Sequence, residues 1–474
     1  MPNPGKIAFR EKLCFGFGDF ASVLYWQTFM VFLPIFYTDV FGITAAAAGA
    51  VILFSRLLDG AVDPVVGMIA DRTNTRWGRF RPYLLWICVP LAVVGVLAFT
   101  TPNFSPGGKL VWAYVTFMTL MVLYTCINIP YSALLGVITS DSVDRTSLSS
   151  IKFICAYAAS TLVSATLLPM SAAFGHGNAA RGWQLSFVVY GVIAIASFFT
   201  AFAGTKERIH PPKEQKSSVR RDLLDLVTNR PWIILLFTTL TMILSVSVRT
   251  SMTVHYFKYF VGTQNLDLPF TRGPRAYGYE GIVSAFNLMG SITSIAGVLL
   301  LPLIVKRVGK KTAFITLFLV SVACTAAFYV LGPDQILAMF AFHIAGSFAG
   351  GSVSPLVWAM FADTADYGEW KYGRRATGLV FSATSTGMKV GFAIGAAAAL
   401  WLLSTVGFRA NIAQTPEVRH GLVLLMSVIP AGLGLVAIAV ASLYPINEAR
   451  ITEMNAALKE RRAAGDVEPV HIPA

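Results

Sequence analysis

The chain has 474 residues, of which 55% are hydrophobic and only 13% are charged. A soluble globular protein usually carries about 25% charged residues. This composition therefore excludes a soluble globular protein and indicates a membrane protein. Uninterrupted apolar runs of about 20 residues also exclude an outer-membrane barrel, whose strands alternate apolar and polar side chains.

Twelve apolar segments follow one another along the chain, and each is long enough to cross a bilayer as a helix. We therefore predict an all-α membrane protein with short loops and no sizeable soluble domain. The predicted spans 1 to 12 are 13–38, 44–70, 83–101, 110–137, 149–172, 184–204, 231–261, 279–304, 312–331, 336–362, 377–404 and 421–444.

A polar segment divides these spans into two sets of six, and a weak repeat supports two related halves. Short basic loops follow spans 2 and 8, with Gly78 and Gly309 at corresponding places. Two parallel sets of six helices are typical of the major facilitator fold. We predict an N-terminal half 1–204, a cytoplasmic middle loop 205–230, a C-terminal half 231–444 and a cytoplasmic tail 445–474.

The net charge of +13 records the orientation of the chain in the membrane. When the spans alternate, 26 of the 37 lysines and arginines fall on the side of the N-terminus, seven on the other side and four within spans. Because basic loops stay in the cytoplasm, we predict that both termini are cytoplasmic. This reading leaves no reason to expect a nucleic-acid partner.

The sequence predicts neither an enzyme nor a metal site. The five cysteines lie in apolar runs without a Cys-x-x-Cys pair, and no Walker, H-E-x-x-H or G-x-S-x-G sequence occurs. We expect no cofactor, and energy must come from the gradient of an ion or of the substrate.

Span 2 carries three charges that its location in the membrane does not explain. Arg56, Asp59 and Asp63 are spaced three and four residues apart, which places them on one helix face. Two neighbouring acids disfavour their mutual ionisation, which suits a site that takes up and releases a proton or a sodium ion. The alternative is structural, with Arg56 neutralising one acid in an ion pair.

Other spans also contain ionisable residues, which are hypotheses for substrate binding. Asp19 lies in span 1, where an acid near the start of a helix is also favoured by the helix dipole. Lys152 is close enough to the start of span 5 to reach the cytoplasmic surface instead. Lys389 and Arg249 lie too deep for that. Tyr124 offers a ring to a sugar, although packing is the alternative.

Loop charges at the helix ends predict a cytoplasmic gate. Asp71, Arg72 and Arg81 lie in the loop between spans 2 and 3, and Asp363 and Asp366 follow span 10. Ion pairs between these two groups would close the space between the halves. The alternative is that these charges are solvated and only set the topology.

Four stretches of the chain resemble one transporter family. Residues 56–82 read R-L-L-D-G-A-V-D-P-V-V-G-M-I-A-D-R-T-N-T-R-W-G-R-F-R-P, and further matches are 15–20 (F-G-F-G-D-F), 128–132 (N-I-P-Y-S) and 361–369 (F-A-D-T-A-D-Y-G-E). They resemble the glycoside–pentoside–hexuronide:cation symporters of the major facilitator superfamily over nearly the whole chain. The resemblance implies a carrier that imports a sugar or glycoside together with a cation by alternating access.

The resemblance also implies a cation site at Asp59, Asp63 and Thr125. Val62 stands where the family has an asparagine. A sodium ion requires several oxygen ligands, whereas a proton requires only a carboxylate. We therefore expect H⁺ as the co-transported ion, with Na⁺ as the alternative.

By the same resemblance, Asp19 matches an acid that holds the sugar, and Lys389 matches a lysine that lies near the sugar. Asn128 replaces an acid and Lys152 replaces an arginine, and no tryptophan stands near Ser132 to stack on a galactosyl ring. Galactoside specificity is therefore not expected. An anionic sugar such as a hexuronide and a neutral glycoside or pentoside both stay open.

The family precedent adds Arg375 to the cytoplasmic gate, as a partner for Asp363 and Asp366. It also implies a monomer in the lipid bilayer of a bacterial inner membrane. A different class, a sodium-coupled lysophospholipid transporter of the same fold, shares parts of the span 2 sequence and is the competing hypothesis.

Overall fold

The computed structural model describes residues 7–139, 142–208, 228–266, 275–372 and 377–464. In this part of the chain, twelve helices are long and apolar enough to cross a membrane, as the hydropathy predicts. They are α1 Phe9–Phe41, α2 Ala45–Arg72, α3 Arg81–Ala98, α4 Pro106–Ile138, α5 Ser142–Gly175, α6 Ala179–Gly204, α7 Arg230–Val261, α8 Tyr279–Val308, α9 Lys310–Ala327, α10 Ile336–Tyr372, α11 Thr377–Thr405 and α12 Pro416–Ser442.

In the described residues, a small sheet and a polar helix also lie outside these twelve helices. A small antiparallel sheet stands between α7 and α8, with β1 Gln264–Leu266 paired to β2 Arg275–Tyr277. A polar helix, α13 Glu448–Ala464, follows α12. The architecture is therefore that of an all-α membrane protein.

The first helix is irregular in its second half. It is a regular α-helix up to Gln27, and two π-helical turns, Thr28–Phe32 and Phe36–Phe41, then flank Pro34. Proline lacks an N–H and its ring clashes with the preceding turn, so it commonly distorts the helical ladder. The helix ends at Gly42, whose φ of +81° is a left-handed conformation that favours glycine.

Two helices are longer than their apolar segments predict. Helix α10 continues through the polar stretch after residue 362 as far as Tyr372, and α5 begins at Ser142 rather than at 149. Hydropathy reports only the part of a helix that lipid surrounds, and both extensions are polar. They carry the helical backbone beyond the apolar layer.

One acidic side chain caps the first turn of the third helix in each set of six. Glu207 accepts hydrogen bonds from the backbone N–H groups of Arg79, Phe80 and Arg81 at 2.8–2.9 Å. Glu448 accepts one from Lys310 at 2.8 Å. An anion satisfies the free N–H groups of a helix start and matches its dipole. The two basic loops that correspond in sequence therefore also share an acidic cap.

A close approach explains the glycine in each of these loops. Gly78 and Gly309 have φ values of +110° and +79°. A Cβ atom would lie 2.5 Å from the Glu207 carboxylate at the first position and 2.7 Å from Glu448 Cγ at the second. Each loop therefore requires glycine for two reasons: the backbone has a positive φ, and a side chain would overlap the capping glutamate.

Contacts divide the protein into two compact units that do not follow the order of the chain. The first comprises 1–213, 250–291 and 396–422, and the second comprises 214–249, 292–395 and 423–474. An aromatic cluster fills the core of the first unit, where Phe99 and Phe187 stack at 3.6 Å beside Trp183. Phe314, Phe318 and Phe361 lie in the core of the second.

Candidate cation and sugar site

The three residues predicted to bind the cation meet in the first unit. Thr125 of α4 donates a hydrogen bond to Asp59 Oδ1 on α2, and its hydroxyl lies 3.2 Å from Asp63 Oδ1. Asp59 is fully buried, with 0% of its surface exposed. The four-residue spacing of the two acids brings both to one side of α2, as predicted. The arrangement offers carboxylate and hydroxyl oxygens to a small cation.

Arg56 lies one turn before Asp59 and is almost as deeply buried, with 2% exposed. Its guanidinium lies 4.6 Å above the ring of Trp26 on α1 and interacts electrostatically with Asp59. Its Nη1 has no hydrogen-bond partner in the described part of the chain. Trp26 also stacks on Tyr124, with ring centres 6.2 Å apart. Arg56 therefore connects the carboxylates to an aromatic pair.

Asp19 and Lys152 form an ion pair between α1 and α5. Lys152 Nζ lies 3.6 Å from Asp19 Oδ1, and the two side chains are 22% and 14% exposed. The same ammonium lies 5.4 Å from the ring centre of Tyr131. Lys152 is therefore oriented toward α1, where the alternative hypothesis had it reaching for the surface.

Asn128 lies one turn after Tyr124 on α4, and the two side chains are hydrogen-bonded. Tyr124 is buried and interacts with Asn128, Asp19 and Asp59. The ring of Tyr124 packs on Trp26, while its hydroxyl interacts with the polar residues of the site. Asn128 is half-buried and offers an amide at the position where the family has an acid.

Two glycines of the 15–20 stretch allow helices to approach closely. A Cβ atom at Gly18 would lie 2.3 Å from Tyr131 Cε2, and one at Gly16 would lie 2.6 Å from Cys155 Sγ. Tyr131 then donates a hydrogen bond to the Phe15 carbonyl at 2.9 Å. The glycines therefore set the positions of α4 and α5 beside Asp19.

We predict that Gly18→Ala lowers the stability of the protein, because its methyl group overlaps Tyr131. Overpacking of this kind costs about 1–3 kcal/mol. The measurement is the melting temperature of the purified protein in detergent. Gly60→Ala is the matched control, since nothing lies within 4 Å of a Cβ at that helical position. Equal melting temperatures for both variants would contradict the packing argument.

Sequence reasoning missed one polar contact near the site. Gln27 Nε2 donates to Ser164 Oγ at 3.2 Å and joins α1 to α5. Both residues are uncharged polar residues inside apolar runs, which is the signal that was available. Ser164 is fully buried, so this contact stabilises the same helix pair as the Asp19–Lys152 ion pair.

Two predicted ligands lie in the second unit. Arg249 on α7 has its guanidinium 4.9 Å from the ring centre of Phe328. Lys389 lies on α11 and is half-buried. Their roles toward a sugar stay predictions.

The predicted gate residues have local partners where they are described. Arg81 donates to the carbonyls of Trp77 and Phe202 at 3.3 and 2.6 Å. Asp363 accepts two bonds from Lys310 at 2.7 Å. Arg72 is exposed and Asp366 is half-buried. The side chain of Asp71 and the whole of Arg375 lie outside the part of the chain that the structure describes. Pairing between the two groups stays a prediction.

No group of three or more histidine, cysteine, aspartate or glutamate side chains in the described ranges is arranged to hold a metal ion.

The fold and the buried ionisable cluster together define the class of the protein: a multi-pass membrane carrier.

Comparison with known proteins identifies the family. The chain matches the family described as MFS/sugar transport protein over residues 14–448. It is 34% identical to the putative glycoside/cation symporter YagG of Escherichia coli K12, over 98% of each chain. It is 35% identical to the isoprimeverose transporter of Lactiplantibacillus pentosus, over 92% of this chain and 89% of that one. The protein belongs to this family of sugar symporters, the glycoside–pentoside–hexuronide:cation symporters, and is a transporter rather than an enzyme.

Solved structures support the fold. The nucleoside transporter NupG matches with a TM-score of 0.59 at 13% identity, over 92% of this chain and 99% of NupG. A bacterial homologue of the human drug peptide transporters PepT1 and PepT2 matches with a TM-score of 0.65 at 11% identity, over 95% and 99%. At these identities the likeness concerns the fold alone, and it is the major facilitator fold that the sequence predicts.

Proposed function

We propose that the protein imports a sugar or glycoside together with protons by alternating access, through Asp59, Asp63 and Thr125. The observation that carries the proposal is a pair of carboxylates that shares the Thr125 hydroxyl, with Asp59 fully buried and Asp63 half-buried. A buried carboxylate is expensive to keep ionised unless a cation or a proton neutralises it. The pair therefore favours a cation-loaded state.

The charge balance of the site supports one cation per transport cycle. The candidate site residues in the first unit include three acids, Asp19, Asp59 and Asp63, and two bases, Arg56 and Lys152. With all five ionised, one negative charge is left, and one proton or one sodium ion neutralises it. An uncharged glycoside or pentoside would preserve that neutrality, whereas a hexuronide would require compensation from other residues.

The sugar is proposed to bind at Asp19, Asn128, Lys152 and Tyr124, with Lys389 and Arg249 as further ligands. Names of the relatives point to the same class: one is a putative glycoside/cation symporter and another is an isoprimeverose transporter. A third, the glucuronide carrier protein homolog of Escherichia coli K12, is 29% identical over 96% of this chain and 97% of its own. Hexuronides therefore belong in the substrate screen.

The remaining features of the proposal concern topology. We place the carrier in a bacterial inner membrane as a monomer, with both termini in the cytoplasm and with halves 1–204 and 231–444. The group around Asp71, Arg72 and Arg81 closes its cytoplasmic side against the group around Asp363, Asp366 and Arg375.

Uptake into proteoliposomes tests the proposal. The purified protein is reconstituted, and labelled glycosides, pentosides and hexuronides are supplied under an imposed proton or sodium gradient. Accumulation driven by protons alone is expected. Accumulation driven only by sodium would replace the proton with sodium, and transport of lysophospholipid without any sugar uptake would overturn the sugar assignment.

We predict that Val62→Asn makes uptake respond to sodium. The side chain of Val62 has no oxygen, and an asparagine there adds an oxygen ligand beside Asp59 and Asp63, toward the several that sodium requires. The expected result is sodium-stimulated sugar uptake that the parent protein lacks. Val62→Leu is the control, since it changes the same side chain without adding an oxygen. A sodium response equal in both variants would contradict the reasoning.

A further inference from the structure

A second buried carboxylate cluster lies at the far end of α1. Asp39 is 20 residues after Asp19, which corresponds to roughly 30 Å along a helix. Its side chain is only 2% exposed. The cation and sugar sites do not use it, so its burial requires another explanation.

Both oxygens of the Asp39 carboxylate are engaged by hydrogen bonds. Oδ2 accepts hydrogen bonds from Lys258 Nζ and from the Tyr259 hydroxyl, both at the end of α7. Oδ1 accepts from the Thr38 hydroxyl at 2.6 Å. Charge-assisted bonds to a carboxylate are about twice as strong as bonds between neutral groups. Asp39 therefore joins the end of α1 to the end of α7.

The loop between α11 and α12 closes the cluster through Asn411. Its Nδ2 donates to the Asp39 carbonyl at 2.7 Å, and its Oδ1 accepts from Lys258 at 2.8 Å. Its backbone N–H donates to the Tyr259 hydroxyl at 2.8 Å. Asn411 adopts this arrangement with a φ of +60°, which asparagine tolerates better than most residues. Asn411 thus forms hydrogen bonds with Asp39, Lys258 and Tyr259.

A buried histidine continues the network inward. His255 Nε2 lies 3.0 Å from the Thr38 hydroxyl, and that hydroxyl donates to Asp39 Oδ1. Either group can be the donor in this contact, depending on the tautomer of the His255 ring. The two helices are therefore joined at two successive levels.

Helix α1 belongs to the first set of six helices, whereas α7, α11 and α12 belong to the second. A carrier that works by alternating access must separate its two sets at one face of the membrane in one half of each cycle. Bonds that join the sets at one face can persist only in the state that is closed there.

We infer that Asp39, Lys258, Tyr259 and Asn411 form an outer latch, which holds α1 against α7 and breaks each time the carrier opens at that face. The latch lies at the opposite end of α1 from the N-terminus, which is the outer face if the termini are cytoplasmic. This inference concerns the conformational cycle of the carrier and holds for any substrate or coupling ion.

Distances between two spin labels test the latch. After replacement of the native cysteines, labels are attached to Phe104→Cys and Ile412→Cys, both exposed residues at this face. With the latch intact, one short-distance population is expected. Asp39→Asn and Lys258→Gln are each expected to add a longer-distance population and to raise the open-to-closed ratio at least tenfold, which corresponds to about 1.4 kcal/mol.

Lys109→Gln is the matched control, because Lys109 also bonds to the end of α1, at the Phe41 carbonyl, but not to Asp39. Asp39→Lys combined with Lys258→Asp restores an ion pair and is expected to return the distribution toward the parent. If Asp39→Asn does not fold, Lys258→Gln and Asn411→Ala decide the question. Parent-like distances in the folded variants would overturn the latch. The latch rests on the proposed alternating access, but the readout needs no sugar and no ion gradient, so its failure is distinguishable from a failure of the proposed substrate or coupling ion.

Discussion

Asp59→Asn is expected to abolish accumulation of sugar against its gradient while leaving exchange or binding of the sugar measurable. The amide cannot take up and release a proton, so a proton gradient no longer does work on the sugar. For one proton per sugar, each unit of pH difference drives about tenfold accumulation in the parent protein. The ratio of internal to external sugar in the variant should stay near one. Proteoliposomes with an imposed pH difference provide the measurement.

Asp334→Asn is the control for this experiment, because it removes one acidic charge from an exposed loop residue far along the chain. Its accumulation should equal that of the parent. Full accumulation by Asp59→Asn would refute the coupling role. Loss of exchange as well would indicate damage to the sugar site. The rise in melting temperature that sugar causes in the variant would then distinguish lost binding from lost coupling.

Asp19→Asn is expected to weaken sugar binding by roughly 10- to 100-fold. A hydrogen bond to a charged group contributes about 1.5–3 kcal/mol, and the substitution removes the carboxylate that faces Lys152 at 3.6 Å. The released ammonium also loses its partner. Isothermal titration gives the dissociation constant, with the sugar that most raises the melting temperature in a panel of glycosides, pentosides and hexuronides.

Glu11→Gln provides the comparison for Asp19→Asn. Glu11 lies on the same helix and forms an ion pair of its own, with Arg208 at 2.7 Å. Sugar affinity should therefore be unchanged in this variant. An unchanged dissociation constant for Asp19→Asn would remove Asp19 from the sugar site and leave its ion pair with a purely structural role.

Much of the fold is predictable because the bilayer imposes the length and composition of each helix. Residues within spans are apolar, so eleven loops separate twelve segments without any knowledge of packing. Hydropathy does not register a helix where it leaves the apolar layer: the extension of α10 to Tyr372 is polar, and its helical hydrogen bonds do not depend on lipid. The π-helical turns around Pro34 depend on backbone geometry, which hydropathy does not register either.

The candidate site is predictable to the level of residues but not of partners. Spacing alone places Asp59 and Asp63 on one helix face, and the family resemblance adds Thr125. By contrast, the stacking of Arg56 on Trp26 depends on how α1 packs against α2. The Asp39 cluster joins residues more than 200 positions apart in sequence. Such contacts require the tertiary structure, because no local pattern encodes them.

The acid that caps α9 has a practical consequence for the design of expression vectors. Glu448 lies beyond the last membrane helix, in a tail that a topology diagram would mark as dispensable. A shortened gene that stops after residue 444 would leave the first turn of α9 without its anion, although every lipid-embedded residue would be retained. Fusion partners and purification tags should therefore be appended after residue 464, the end of α13, and deletions should start no earlier.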